Sequence, residues 1–504
     1  MLKKAITIFF VLCVAVVVSA QSKVVNIACG GLEEALSGDY SFTSLTVKGS
    51  MDVRDFATLG RSVALLEKLD LSGCSIEGYD SRDKQYMGNH SHFEADAIPP
   101  SAFLGFIALK EVVLSSEIEA IGDGAFAGCE SLVSLSGCSR VCKIGHYAFS
   151  GCKSLQKVDL PSTLQQIGDY AFDKCAAIKQ IDLTQCRELD YLGVRAFAQN
   201  SSLESVVLPD GLTQIQDALF AGCIALKSVS LPRKLDYCGE GVFAACTALQ
   251  TIDMSECEMY ELPAWTFSGC SLLSQVSLPP SITIIAEGAF SYCTSLKNIV
   301  LPAGISQLDG FAFAGCSALS QIAFMQEGIE NIGRYAFYNN RAASRVKIPT
   351  TVSYIDDHAF DGCINANKFY TSRDVPAELG EMVFANMEQE NKVLYVETAS
   401  MTIYQGTAQW QDFGEINSLA SVDDAVVPCG VCATFEQYDM RITSAQEIAS
   451  VRLYDTTGVL LASVQPYKCE TIIDTHSFVG NIYIVQVATN NGEQTVLKVA
   501  RLIR

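Results

Sequence analysis

Positive charge is what this chain has least of for its size. It carries 35 Lys and Arg against 56 Asp and Glu, a formal balance of −21. A nucleic-acid partner would call for a basic stripe, and none runs along the sequence. Acidity otherwise speaks to solubility rather than to fold. Histidine is also scarce, with five in 504 residues, at His90, His92, His146, His358 and His476. They are scattered, although His146 and His358 read as equivalent turn slots. No G-x-S-x-G, H-E-x-x-H or phosphate-cradling glycine loop accompanies them. The chain therefore reads as no enzyme, with no cofactor and no metal. His90-Ser91-His92, with Glu94 and Asp96, reads as a solvated polar loop over residues 78–96 rather than as a ligand set. Long apolar runs are missing after the first twenty residues, so no later segment reads as a transmembrane span.

The start of the chain is apolar. Lys3 and Lys4 precede the run Ala5 to Val18, and Val18-Ser19-Ala20 offers small residues for cleavage. Met1 to Ala20 therefore reads as a secretory signal. Cys13 lacks the small-residue lead-in of a lipid anchor. The mature chain is expected to be secreted or held at the outer cell surface.

Twenty cysteines in an exported chain would ordinarily mean disulfides. Nine of them instead recur once per repeat and point the same way. Neighbouring repeats would set their Cβ atoms about one strand spacing apart, roughly 4.8 Å. A bridge wants about 3.8 Å. Most are therefore expected to be reduced and structural. Cys429-Gly-Val-Cys432 stands apart and reads as a local disulfide or two idle thiols rather than a redox motif.

The repeat organises everything else. Phe103, Phe126, Phe149, Phe172, Phe197, Phe220, Phe243, Phe267, Phe290, Phe313, Phe337, Phe360 and Phe384 follow one another at steps of 23 to 25 residues. A fixed period of this size signals a solenoid. Six, nine and eleven residues after each Phe the slots are apolar, as in Leu203, Val206 and Leu208. That spacing reads as a short strand with an aliphatic inner face. Proline often follows (Pro161, Pro209, Pro232, Pro302) and ends the strand, because it cannot donate to a ladder. A second apolar pair, such as Leu164 and Ile167, then leads through Gly168 to the next Phe. Three residues after Phe stands Cys in nine copies and Asn in two, Asn200 and Asn340. Cys exchanging with Asn at one register is the leucine-rich-repeat signature. It implies a buried column facing loop backbone, which either side chain could satisfy. Four copies of a second turn, at Cys74, Cys138, Cys186 and Cys257, replace the proline.

The expected fold is an α/β leucine-rich-repeat solenoid of mostly short parallel strands with irregular or helical return segments, plus a small C-terminal all-β sandwich. Residues 21–97 read as an N-terminal cap and early rungs with a long polar loop, with Asp52 capping a helix. Residues 98–385 are the repeats and 386–417 their cap, with Tyr404, Trp410 and Phe413. Residues 418–425 form a linker, and residues 426–504 form the sandwich. Stacked strands align outward side chains into one surface. Its residues fall eight and ten after each Phe. The candidate binding residues among them are Lys157, Asp159, Gln180, Asp182, Asp253, Arg345, Lys347, Lys368 and Tyr370. An extended extracellular protein or glycan is the expected ligand. A spacer with no specific ligand is the alternative.

The motif A-F-x-G-C-x-x-L-x-x-V-x-L-P, with the Ile98-Pro99 entry and the Trp410 and Phe413 exit, resembles the BspA-like leucine-rich-repeat family of bacterial surface proteins over Leu45 to Ile416. The resemblance implies surface binding, as in those members that are adhesins for host matrix and plasma proteins. The tail resembles the C-terminal sorting domain of the type IX secretion system. The matching residues are Val451 to Asp455 with Gly458, Gly480 to Val485, and Lys498-Val499. It departs at Asn481 and in the final Leu502-Ile503-Arg504. That resemblance implies secretion machinery as a partner.

Overall fold

The computed structural model describes residues 21–62, 65–81, 91–157, 159–323, 325, 327–421, 432–436, 439–454, 460–466, 468–475, 482–489 and 494–500. The signal-like stretch 1–20, linker residues 422–425, Val158, His90, His476 and Cys429 lie outside them. The chain divides into two compact units, Met1–Pro279 and Pro280–Arg504.

The first unit opens with long rungs. Strands Ser22–Ile27, Ser44–Met51, Lys68–Ile76, Glu111–Val113 and Ser134–Ser136 lie side by side, all parallel. Helices Leu32–Leu36 and Val53–Leu59 fill the early return arms. Asp52 caps the second, accepting from the Arg54 amide at 2.9 Å, while Asp55 reaches back to the Asp52 amide at 3.0 Å. This reciprocal pair satisfies two donors that the helix leaves open. Asp55 is fully buried and also accepts from Gly30 and Leu32 amides, so its oxygens are used.

Later rungs are shorter and follow one plan, shown by the rung that starts at Phe172. Ile178, Ile181, Leu183, Leu189 and Leu192 all point inward and are buried. A face strand, Gln180–Asp182, pairs in parallel with Ser205–Val207. The return arm carries its own two-residue strand, Tyr191–Leu192, paired with Gln166–Ile167 of the rung before. The arms are thus extended and hydrogen-bonded, and among the described residues helices are confined to the ends of the repeat array. Gly168 shows why glycine follows the arm strand. A Cβ there would sit 2.6 Å from the His146 nitrogen of the previous rung.

A third ladder runs along the corner that holds Phe. Amides of Tyr147, Phe149 and Gly151 donate to the carbonyls of Asp169, Ala171 and Asp173 at 2.7 to 2.8 Å. The residue two before every anchor Phe is left-handed, with φ between 52 and 61°. These are Ser101, Gly124, Tyr147, Tyr170, Arg195, Ala218, Gly241 and Trp265 in the first unit. In the second they are Gly288, Phe311, Tyr335, His358 and Met382. Such a backbone costs a non-glycine residue about 1–2 kcal/mol. The inter-rung bonds and ring contacts offset that cost. His146, by contrast, lies three before its Phe. Its Nδ1 accepts from the Asp169 amide at 3.0 Å. The two histidines therefore do not share a slot.

The Phe rings stack within each unit. Phe126, Phe149 and Phe172 lie 5.2 and 5.1 Å apart with nearly parallel planes. Burying each such ring stabilises by about 1.5–3 kcal/mol. Three residues on, the thiols of Cys129, Cys152, Cys175, Cys223, Cys246, Cys270, Cys316 and Cys363 donate to the carbonyl of the previous rung's Phe. Cys152 to Phe126 is 3.2 Å, Cys223 to Phe197 3.2 Å, and Cys363 to Phe337 3.1 Å. All cysteines whose state is described are free thiols. The two asparagines of this column behave differently from expectation. Asn200 and Asn340 are fully buried, yet neither amide group has a hydrogen-bond partner. The slot is shaped for a thiol.

In the second unit the arm strands Ile284–Ile285, Gln307–Leu308, Asn331–Ile332, Tyr354–Ile355 and Glu378–Leu379 follow in parallel order. Face strands Arg345–Lys347, Lys368–Tyr370, Val393–Val396 and Glu415–Ser418 form the other ladder. The cap contains helix Met401–Gln405 and the buried Tyr404 and Trp410. Trp410 Nε1 donates to the Ala377 carbonyl at 3.0 Å, and the Tyr404 hydroxyl to that of Arg373 at 3.2 Å. Beyond it the strands turn antiparallel. Asp439–Tyr454 is the spine of this small all-β region and pairs with Cys432–Glu436, Leu460–Val464, Lys468–Asp474 and Ile482–Thr489. Met440, Ile442, Val451, Leu453, Tyr483, Val485 and Val487 form its core.

Candidate functional site

Face-strand register decides which outward side chains meet. In the first unit Gln180, Ser205 and Ser228 stand side by side, as do Asp182, Val207 and Ser230. Asp253 stands beside Ser277. In the second unit Arg345 aligns with Lys368, Val393 and Glu415, and Lys347 with Tyr370, Tyr395 and Asn417.

Several of these side chains already have local work. Lys157 and Asp159 pair with each other at 2.7 Å and stay well exposed. Asp182 Oδ1 accepts from the Thr184 hydroxyl at 2.7 Å and the Thr184 amide at 2.9 Å. These bonds, the hydroxyl first, lower its pKa. Asp253 accepts from the Ser255 amide at 3.0 Å, and Asp70 from that of Ser72 at 2.9 Å. Each is an Asx turn, in which a short carboxylate mimics the next turn of backbone. The sequence carried this signal: an Asp directly precedes the turn at Leu71, Leu183 and Met254. Leu135 has no such Asp and is itself the inward residue of strand Ser134–Ser136, so the fourth supposed copy sits in a different register.

Tyr370 lies inside the surface rather than on it. It is 7% exposed, and its ring stacks on Tyr395 at 5.0 Å. Gln180 and Lys347 are exposed, and Arg345 and Lys368 are half-buried. In the polar loop His92 Nδ1 meets Asp80 Oδ1 at 2.6 Å, which raises the imidazole pKa. Among the described residues no group of three or more His, Cys, Asp or Glu is placed to hold a metal, and no helix is long and apolar enough to cross a membrane.

What sequence reading missed is the corner row of left-handed residues. Tyr147 stacks on Tyr170 at 4.8 Å, with Arg195 over the Tyr170 ring at 5.6 Å. In the second unit Phe311, Tyr335 and His358 stack at 5.0 and 4.7 Å. The signal in the sequence is an aromatic recurring two before Phe, at Tyr147, Tyr170, Phe311 and Tyr335.

Comparison with known proteins follows the same repeat. No curated protein matches the chain. Among solved structures, a leucine-rich-repeat protein of T. pallidum is 34% identical over 30% of this chain and 71% of its own, with a TM-score of 0.29. One from Bacteroides ovatus is 22% identical over 68% and 92%, with a TM-score of 0.44. A leucine-rich cell surface protein of Faecalibacterium prausnitzii is 25% identical over 58% and 86%, with a TM-score of 0.41. The family model for the BspA type leucine rich repeat region matches residues 96–199, 190–320 and 283–405. Together these segments span well over half of the sequence. The chain belongs to the BspA-type leucine-rich-repeat family.

Proposed function

We propose that this chain is an exported surface protein whose strand face binds an extracellular protein or glycan, and that it is not an enzyme. The observation that carries the reading is register. Parallel pairing sets outward side chains in rows, Gln180 beside Ser205 and Ser228 in one unit, Arg345 beside Lys368 in the other. Rows of equivalent groups suit an extended ligand. The signal-like Met1 to Ala20 and the cell-surface relative support the location. The tail is proposed as a type IX sorting module. Two of its three matching motifs pair directly, Leu453 opposite Val485. The boundaries proposed above, with a repeat body at 98–385 and a tail from 426, follow from this reading.

The spacer reading has its own support. Asp182 and Asp253 hold turns, Lys157 and Asp159 hold each other, and Tyr370 is buried. Surface plasmon resonance of the full mature chain over fibronectin, laminin, collagen and mucin separates the two. A binder gives saturable response to at least one, and it is lost when Lys157→Glu, Gln180→Lys, Arg345→Glu and Lys347→Glu are combined. No response to any, or an unchanged response in the variant, sinks strand-face binding. Mass spectrometry of the termini of secreted material tests signal removal and tail processing.

A further inference from the structure

The second unit presents another surface, on its arms rather than its face strands. Arm strands Gln307–Leu308, Asn331–Ile332 and Tyr354–Ile355 run in register, Gln307 beside Asn331 and Asn331 beside Tyr354. Two residues on comes the slot that holds glycine in rungs such as those of Gly145, Gly168 and Gly193. Here it holds Asp309 and Asp356 with Gly333 between them. The backbone of the rung before packs against Gly333, where a Cβ would lie 2.5 Å from the Asp309 carbonyl carbon. Beside it is a groove of about 840 Å3 lined by Gln307, Asp309, Glu330, Asn331, Arg334 and Asp356. Gln307 Nε2 donates to Asp309 Oδ1 at 2.8 Å, which fixes one wall. Phe311 lines the groove and stacks on Tyr335, and the Arg334 guanidinium, also in the lining, lies 5.1 Å from the centre of the Tyr335 ring.

The chemistry of the lining selects among ligands. Carboxylates accept in pairs, amides donate and accept, and a guanidinium donates from a planar fork. A vicinal diol needs that mixture, because each hydroxyl both donates and accepts. Aromatic rings beside such groups suit the apolar C–H faces of a sugar. Glu330, Asp309 and Asp356 outnumber Arg334 and disfavour a sulfated or uronic polymer. Arg334, standing among them, disfavours a basic peptide. Equivalent backbone positions recur about every 4.8 Å along the rungs, so Asp309 and Asp356, two rungs apart, stand roughly 10 Å from one another. A chain of sugar rings laid along the arms passes from one carboxylate to the next. We propose that the arm groove of the second unit binds an extended neutral or amino-sugar oligosaccharide. The site is separate from the strand face, and its test leaves that face untouched.

Isothermal titration of the full mature chain with cellohexaose, chitohexaose and its deacetylated form tests this, with a heparin hexasaccharide and hexalysine as contrasts. The expected result is binding of at least one of the first three. Asp309→Asn with Asp356→Asn should weaken it by about 10-fold or more, since each lost carboxylate removes a charge-assisted bond. Gln307→Trp, at an exposed arm position, should abolish it by filling the groove. Thermal melts matching the parent show that both variants fold. Lack of binding to all three sugars overturns the proposal. So does binding unchanged by both variants, and so does hexalysine or heparin binding in their place.

Discussion

Each rung offers two slots that invite comparison. One, three residues after Phe, is buried, and its thiol reaches the Phe carbonyl of the rung before. The other, two residues before Phe, is left-handed and reaches the surface; Tyr147 there is 49% exposed. The interior slot asks nothing unusual of the backbone, yet it holds Cys in nine of the thirteen repeats. The corner slot forces a backbone that favours glycine, yet it takes Tyr, Arg, Trp, Phe, His and Met. What restricts a repeat position is therefore what its side chain can reach, more than what its backbone costs. At the corner a ring finds another ring one rung away. Inside, a side chain with a donor and an acceptor finds room to use neither.

The largest test addresses the whole thiol ladder. Burial raises the thiols of Cys129, Cys223, Cys270, Cys316 and Cys363 to about 12, while an unfolded thiol ionises near 9. A raised folded-state pKa stabilises fully below the unfolded value. That contribution falls away as pH climbs from about 9 toward 12. Urea melts at about pH 7 and about pH 10 should show a marked loss at the higher value, and native alkylation should spare these five cysteines. Equal stability at both would mean the column is not dry. Next comes Phe220→Ala, which removes one ring from the stack and should cost about 3–5 kcal/mol. A smaller loss would show that neighbouring rungs collapse into the gap.

The swap between slot types sharpens the comparison further. Asn200→Cys removes two buried polar groups without partners and should supply a thiol donor, stabilising by about 1–3 kcal/mol. The reverse change, Cys223→Asn, should destabilise by a similar amount. If both changes are neutral, unseen water serves the amides. At the corner Tyr170→Gly should be nearly silent, within about 1 kcal/mol, because relief of the left-handed backbone offsets the lost ring and cation contacts. A denaturation midpoint shift as large as that of Phe220→Ala would show that the corner, too, is core.

The period of Phe made the solenoid and its inner face legible before any coordinates, because burial repeats whenever geometry repeats. Helix capping by Asp52 and the Trp410 cap were legible for local reasons. The corner ladder was not. Its residues share a backbone state but no chemistry, and a pattern search sees only chemistry. The count of eight and ten picks out strand positions that are exposed at Gln180 and Lys347 but buried at Tyr370. Their roles depended on neighbours two positions along, as with Asp182 and Thr184, or one rung along, as with Tyr370 and Tyr395. In the tail, strand Cys432–Glu436 and the first half of Asp439–Tyr454 went unread, since they lie next to polar stretches with weak alternation.

The thiol bond to the preceding Phe carbonyl spans 26 or 27 residues, and most backbone bonds between rungs span about 23. Among the described residues of the repeats most partners lie one rung away in the sequence. Ordering can begin on one formed rung and advance by laying down the next, much as a crystal grows on its own face. Contacts this close in sequence favour fast folding. A chain that emerges from a pore end first would then need only its leading rungs outside before it starts to fold.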